Sequence, residues 1–261
     1  MRYQALPGWL RKVLILTLLA VLWEVIARNT ENSPLVFPAF SLVVQTFVRL
    51  LLDGTLVSYA RVSLEVLLKG MVLGSLAALL FTSVAVQFTA GRDLLELLTS
   101  MCNPLPAIAV LPIALLWLGL GEGSLLFVLV YSIVWPLSLN LYAGFTTVPQ
   151  TLLRVGQNFG LSRPRMMSDI LIPATAPYIL AGMRIAWAFA WRTLIAAELV
   201  LGVVGGKGGL GWFIYQQRHF LETASMFCGL ATIVLIGLLV ESVIFRAIEE
   251  RTVSRWGMRT A

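Results

Sequence analysis

The sequence predicts an all-α membrane protein with about six membrane-crossing helices. Three observations carry this. Of 261 residues, 59% are hydrophobic and 12% charged, with a mean hydropathy of +0.88; a water-soluble chain of this length cannot bury so much apolar surface. The apolar residues gather into runs approaching the ~20 residues that cross ~30 Å of hydrocarbon. No period-2 alternation suggests a barrel, and backbone groups in lipid must satisfy one another, so the runs are helices.

The first run follows Arg2, Arg11 and Lys12 and reads Val13–Trp23. That resembles a secretory leader, but Trp23, Glu24 and Arg28 stand where a small-residue cleavage site belongs. A retained first span, Leu10–Ala27, is expected instead. The second is Val62–Val86, most apolar from Gly70. The third is Leu94–Leu118, the fourth Ser124–Phe145, the fifth Pro177–Val204 and the sixth Phe227–Ile248. Between the first two, Ser33–Asp53 suits an amphipathic helix on the outer interface, with Ser41 as its cap. Before the last span, Gly205–Gln217 begins GGKGGLG and then turns aromatic. No repeat of 20–50 residues and no second soluble domain is visible, so residues 1–261 form one transmembrane domain.

Orientation follows from the basic residues. With the N-terminus inside, the cytoplasmic parts hold Arg2, Arg11, Lys12, Arg92, Arg154, Arg163, Arg165, Arg246, Arg251, Arg255 and Arg259. The outer parts hold Arg28, Arg49, Arg61, Lys207 and Arg218, and Lys69, Arg184 and Arg192 fall inside spans. Eleven against five places both termini, and the loop 148–173, in the cytoplasm. The net charge of +6 and pI near 9.7 are therefore topological, and nucleic-acid binding is not expected. Cys102 and Cys228 both lie in apolar segments, which argues against a disulfide framework, and His219 has no companion ligand for a metal.

Catalytic signatures are missing. GGKGG at Gly205–Gly209 has a lysine but neither the following Ser or Thr nor a preceding strand, so it is no phosphate loop. There is no GxSxG and no HExxH, and carboxylates are scattered. The chain is not expected to be an enzyme; work against a gradient would draw on a partner or on ions.

The polar loop VPQTLLRVGQNFGLSRPRMMSDILIP, Val148 to Pro173, interrupts this apolar chain. Thr147 can cap a helix that carries Pro149 early. Leu152, Val155 and Phe159 recur at i, i+3, i+7 as one apolar stripe. Gly160 stops that helix, as a residue tolerant of positive φ does cheaply. Ser162 and Pro164 restart a second, and Ile170, Ile172 and Pro173 lead back to the membrane. The predicted object is a bent helical hairpin. Its ridge faces either its own bundle or another protein, and periodicity alone does not choose.

Within the spans, Pro104, Pro106 and Pro112 read as kinks or as lining of a pathway. Gly70 and Gly74 read as a packing surface, Glu65 with Lys69 as an i,i+4 pair, and Glu122 as a solvated turn residue. The fifth span carries Arg184, Arg192 and Glu198. Helical spacing puts Arg184, Trp187, Trp191 and Glu198 near one face, with Arg192 turned about 100° from Trp191. A charge inside a span is costly and normally faces the bundle interior.

The loop resembles the EAA loop of ABC importer permeases. Gly160-x9-Ile170-x-Ile172-Pro173 is similar to that motif's tail, G-x9-I-x-L-P, although Arg154, Val155 and Gly156 occupy its Glu-Ala-Ala positions and Ile172 its Leu. FPAFSLVV at Phe37–Val44 resembles FPSPxxV of the nitrate/sulfonate/taurine branch. NPLPAIAVLPIALLWLGLGEG at Asn103–Gly123 resembles RPIPPLAWLPLxxLWFGIGE. WPLSLNLYAGFTTVP at Trp135–Pro149 resembles FPxxxNTxAGxxxVP. PYILAGMRIAWAFAWRTLIAAEL at Pro177–Leu199 and GGLGWFI at Gly208–Ile214 resemble further blocks of that branch, in the same order.

The resemblance implies the type I ABC importer permease fold, with a cytoplasmic coupling helix between spans 4 and 5. It implies a multi-pass protein of the bacterial cytoplasmic (inner) membrane. Its partners would be a second copy of the chain, two copies of a cytoplasmic ATPase subunit and a periplasmic or extracytoplasmic substrate-binding protein. It implies no cofactor on this chain, ATP and Mg lying on the ATPase. The coupling residues it marks are Leu152, Val155, Gly156, Phe159, Gly160, Leu161, Ser162, Ile170 and Pro173. The pathway residues are Pro104, Pro106, Pro112, Asn140, Trp191, Arg192 and Glu198. A small, anionic solute, nitrate-, sulfonate- or taurine-like or an aromatic acid, would move inward by alternating access driven by that ATPase. The alternative in another class is an ion-gradient-driven secondary transporter, which discontinuous helices and an inverted repeat would favour; no such repeat is visible.

Overall fold

The computed structural model describes residues 7–29, 35–203 and 208–252. Among them the regular elements are all helical. α1 covers Gly8–Asn29, α2 Phe40–Leu52, α3 Thr55–Ala85 and α4 Thr89–Cys102. A 3₁₀ turn, Ala107–Val110, opens α5, Leu111–Leu118, and α6 covers Glu122–Thr147. α7 (Gln150–Asn158) and α8 (Arg163–Met166) follow, then a π turn, Met167–Leu171, and the single turn α9, Ile172–Ala174. α10 is Ala176–Leu201, α11 Leu210–His219 and α12 Thr223–Leu239; a π turn, Val240–Phe245, joins α12 to α13, Arg246–Arg251. Of the sequence expectations, Arg2, Ser33, Val204, Lys207, Arg255, Arg259 and the start of GGKGG lie outside the described residues.

Among the described residues four helices are long and apolar enough to cross a membrane: α3, α6, α10 and the run Thr223–Arg251. The third expected span is not one straight helix. It begins earlier, at Thr89, and its two limbs, Thr89–Cys102 and Ala107–Leu118, meet at 94°. Pro104 and Pro106 give no N–H to carry the ladder across the break, and Pro106 leaves in an extended conformation, φ −57° and ψ 123°. α1 is 22 residues long, but Arg11, Lys12, Glu24 and Arg28 put at least three charges in every 18-residue window of it.

The core is a three-helix packing with α6 in the middle. Leu129, Ile133, Leu137 and Leu141, four residues apart, form its buried stripe. Gly70 and Gly74 of α3 admit α6 closely: a Cβ on either would lie 2.9 Å from Leu129 Cβ or 2.8 Å from Ile133 Cβ. On the other side Gly182 of α10 meets Asn140 and Leu137 in the same way. Small residues let membrane helices approach where no hydrophobic drive between them exists. α1, by contrast, has no buried residue, and exposed Leu, Val and Ile along it, α3 and α12 form a surface suited to lipid.

The end of the bundle that carries the start of α2 is tied by side chains the sequence did not pair. Ser41 is not the cap of α2; Ala39 is, without a side-chain bond. Ser41 lies one residue into the helix, and its N–H and Oγ both donate to the Glu24 carboxylate at 2.9 Å. The anion thus comes from α1, at a helix end where N–H groups are unpaired. Trp23 donates to the Pro38 carbonyl at 3.0 Å and packs on Phe37, Phe40 and Phe227. Lys69 Nζ lies 2.5 Å from Glu122, which is the first residue of α6 rather than part of a free turn. Cys102 and Cys228 are both free thiols.

Candidate functional site

The loop 148–173 folds as a helical hairpin. Val148, preceding a proline, is held extended at ψ 126°, as ring sterics demand. α6 therefore stops at Thr147, and Pro149 takes the cap position of α7. Thr147 is not that cap: its hydroxyl donates back to Gly144 O at 2.8 Å. At the other end Gly160 has φ +68°, the conformation the sequence required of it. Leu161 N–H donates to Gly156 O at 3.0 Å and Gly160 N–H to Gln157 O at 2.9 Å. This pair of crossed bonds satisfies the last carbonyls of α7. Ser162 then caps α8 from an extended conformation, with Pro164 in its first turn.

Gly156 sets how the two limbs meet. A Cβ there would lie 2.5 Å from Ile170 Cδ1 and 2.8 Å from Met166 Cε, so only glycine permits the contact. With Gly156 turned toward the returning limb, Leu153 and Gln157 border a cleft with Val86 and Gln87 at the C-terminal end of α3. The stripe faces away: Leu152, Val155 and Phe159 are 43%, 44% and 80% exposed. Of the two orientations the sequence left open, the ridge takes the one that leaves it uncovered by its own bundle. Pro173 and Ile170 lie on the returning limb.

A second feature is a cavity of about 350 Å³ at the break between α4 and α5, closed by α6 and α10. Asn103, Pro104, Leu105 and Pro106 form one wall, Tyr131, Trp135 and Pro136 another, and Phe189, Arg192 and Thr193 the third. Arg192 Nε donates to Ala188 O at 2.9 Å, and its guanidinium stands 5.1 Å over the Phe189 ring. Among the described residues no carboxylate pairs with it. Of the sequence-marked pathway residues, Pro104, Pro106 and Arg192 share this cavity, and Pro112, Asn140, Trp191 and Glu198 do not line it. Asn140 donates to Pro136 O at 2.8 Å inside α6. Trp191 is buried and stacked on Trp187. Pro112 sits exposed in the first turn of α5.

Glu198 has a different position again. It is 3% exposed and accepts the Ser63 hydroxyl at 2.8 and 2.9 Å and the Gly211 N–H at 2.8 Å, while Ser63 Oγ accepts the Leu210 N–H at 2.8 Å. Glu198 and Ser63 together cap α11 and bind α3, α10 and α11 to one another. A Cβ on Gly209 would overlap the carboxylate and one on Gly211 the Ile195 carbonyl, so the Gly-Gly-Leu-Gly run exists to let this helix end approach. Sequence reasoning missed Ser63; the run of glycines after a buried glutamate was the available signal. Arg184, on the same helix, is ion-paired at 3.1 Å with both Glu241 of the π turn after α12 and Glu249 of α13.

A bundle of long apolar helices, with an uncovered amphipathic hairpin on one end and a cavity among the spans, defines a membrane transport component. Residues 70–254 match the family of binding-protein-dependent transport system inner membrane components, and the chain belongs to it. It is similar to the putative aliphatic sulfonates transport permease protein of Bacillus subtilis, 28% identical over 95% of this chain and 88% of that one. The taurine transport system permease protein of Escherichia coli is 30% identical over 87% and 82%. The nitrate import permease protein of a Synechocystis strain is 32% identical over 57% and 53%. The chain is thus an ABC importer permease of the nitrate/sulfonate/taurine branch.

Proposed function

We propose that this chain is the membrane-spanning subunit of an importer that moves a small anion inward by alternating access, driven by a separate ATPase. In this reading α1 and the broken α4–α5 pair complete six spans, both termini are cytoplasmic and α7 is the coupling helix between spans 4 and 5. Two copies of the chain pair with two ATPase subunits that hold ATP and Mg, and an extracytoplasmic binding protein delivers the solute. The relatives' names, with sulfonates, taurine and nitrate, support a cargo that carries an anionic oxyacid group. Arg192 on the cavity wall, which has no carboxylate partner among the described residues, supports it independently.

The observation that carries the reading is the outward ridge Leu152, Val155 and Phe159, held by the inward Gly156 and the positive-φ Gly160. Over a third of each ridge side chain is left to solvent on an element with no catalytic group, which suits a surface that receives motion. The break between α4 and α5 is a feature also found in secondary transporters, but the family match outweighs it. The reading is tested by co-expressing the chain with phosphate-loop ATPase subunits from the same genome. Wild type should retain the ATPase through purification. Gly160→Val should uncouple ATP hydrolysis from solute, because a β-branched residue at φ +68° costs about 1–2 kcal/mol and shifts the turn. Unchanged solute-stimulated hydrolysis and uptake in that variant would refute it.

A further inference from the structure

We infer that the surface receiving α7 on the ATPase is acidic, so that this coupling contact is held by charge as well as by the apolar ridge. The inference rests on the coupling role proposed above. α7 has two arcs. Leu153, Gly156 and Gln157 face the returning limb and the C-terminal end of α3. The opposite arc, Thr151, Arg154, Val155 and Asn158, is exposed throughout, with Leu152 and Phe159 beside it. Arg154 is the one ionisable group on that arc. Arg165, on α8 beyond the Gly160 turn, is exposed as well. Neither has a carboxylate partner among the described residues, whereas Arg28, Arg61, Arg184 and Arg246 are each paired within this chain. Arg163 borders the cleft against α3 and is set apart from this pair. The only carboxylate on the hairpin, Asp169, takes the Ser168 hydroxyl at 2.6 Å on the returning limb.

The outward arc therefore offers apolar side chains and positive charge, and no negative charge. A partner groove bearing cations would meet like charge across a desolvated contact, which costs binding; one bearing carboxylates gains both steering and register. The arginines' bulk count is explained by topology, but topology does not require Arg154 to stand beside Val155 on the arc opposite to Gly156. A bilayer surface fits this arrangement less well. The packed arc of α7 is the one turned toward the bundle end, so the exposed arc points away from the spans.

The test uses the full permease–ATPase complex in nanodiscs of neutral phosphatidylcholine, and again in discs containing about one third anionic phosphatidylglycerol. ATPase retention is measured between about 0.1 and 0.5 M NaCl, where screening shortens from roughly 10 Å to roughly 4 Å. In both lipids wild type should lose ATPase as salt rises. Arg154→Glu with Arg165→Glu should weaken retention about tenfold at low salt and reverse the salt dependence, so that retention rises as salt screens the repulsion, while Arg154→Lys with Arg165→Lys keeps the wild-type retention and its loss with salt. Retention that is indifferent to salt and to charge reversal would overturn the inference and leave the coupling role standing. A salt effect confined to anionic discs would assign the arginines to lipid instead. Failure of the wild type to hold any ATPase, in either lipid at low salt, would count against the coupling role itself.

Discussion

Replacing Glu198 by alanine tests whether that carboxylate is a structural clamp. The change removes the acceptor of the Gly211 N–H at 2.8 Å and of the Ser63 hydroxyl, in a site 3% exposed. A buried donor left without a partner costs about 1–3 kcal/mol, so two such donors give an upper figure of about 6 kcal/mol. Removing a buried carboxylate also relieves its desolvation, which offsets part of that. A net loss of about 2–4 kcal/mol is expected. At roughly 2–4 °C per kcal/mol for a chain of this size, the apparent melting temperature should fall by roughly 4–16 °C. Glutamine keeps an oxygen for Gly211, and its amide can donate to Ser63 Oγ, so Glu198→Gln should fall by less than half as much. Ser63→Ala should resemble Glu198→Ala, and the double variant should lose much less than the sum, since the two residues share one cap. Melting of the purified complex followed by size-exclusion fluorescence would measure all four. An alanine variant as stable as wild type, or additive losses, would refute the clamp.

Arg192→Gln should lower uptake of an anionic solute at least tenfold while the complex still assembles and keeps its basal hydrolysis; loss of assembly would assign Arg192 to structure, and normal uptake would remove it from the pathway. Gly74→Leu should destabilise the bundle by more than about 2 kcal/mol, because its Cβ alone would lie 2.8 Å from Ile133 Cβ; melting of the complex tests this. Single cysteines at Ser162 and at Gln217, in a Cys102→Ser, Cys228→Ala background, should label from opposite sides of the membrane, and labelling from one side would overturn the proposed orientation.

The spans α3, α6, α10 and α12 were legible because each holds a long apolar run, and hydropathy reads runs well. It does not read direction. Leu94–Leu118 has the composition of a span, and the 94° turn at Pro104–Pro106 arises from backbone groups that composition averages away. The hairpin was legible down to the conformation of Gly160, because a stripe at i, i+3, i+7 and a glycine stop are local signals. Its limits were not: Val148 before Pro149 decides where α6 ends, and it overrides the capping chemistry of Thr147. Long-range partners were out of reach. Ser41 carries the chemistry of a cap but meets Glu24, 17 positions away, and Glu198 meets Ser63 across 135. No sequence period connects such pairs. The pathway residues divide on the same ground: Pro104, Pro106 and Arg192 converge because α4, α6 and α10 do, while Trp191, one residue from Arg192, is turned into the core.

The central claim is that this chain moves its solute with energy drawn from a partner ATPase through α7. The most direct measurement is solute uptake by cells expressing the full importer, with the ATPase's phosphate-loop lysine intact or substituted, and with the proton gradient collapsed while ATP is kept constant. The account predicts that uptake is abolished by the lysine substitution and survives loss of the gradient. Uptake that persists with the inactive ATPase and vanishes with the gradient would contradict it.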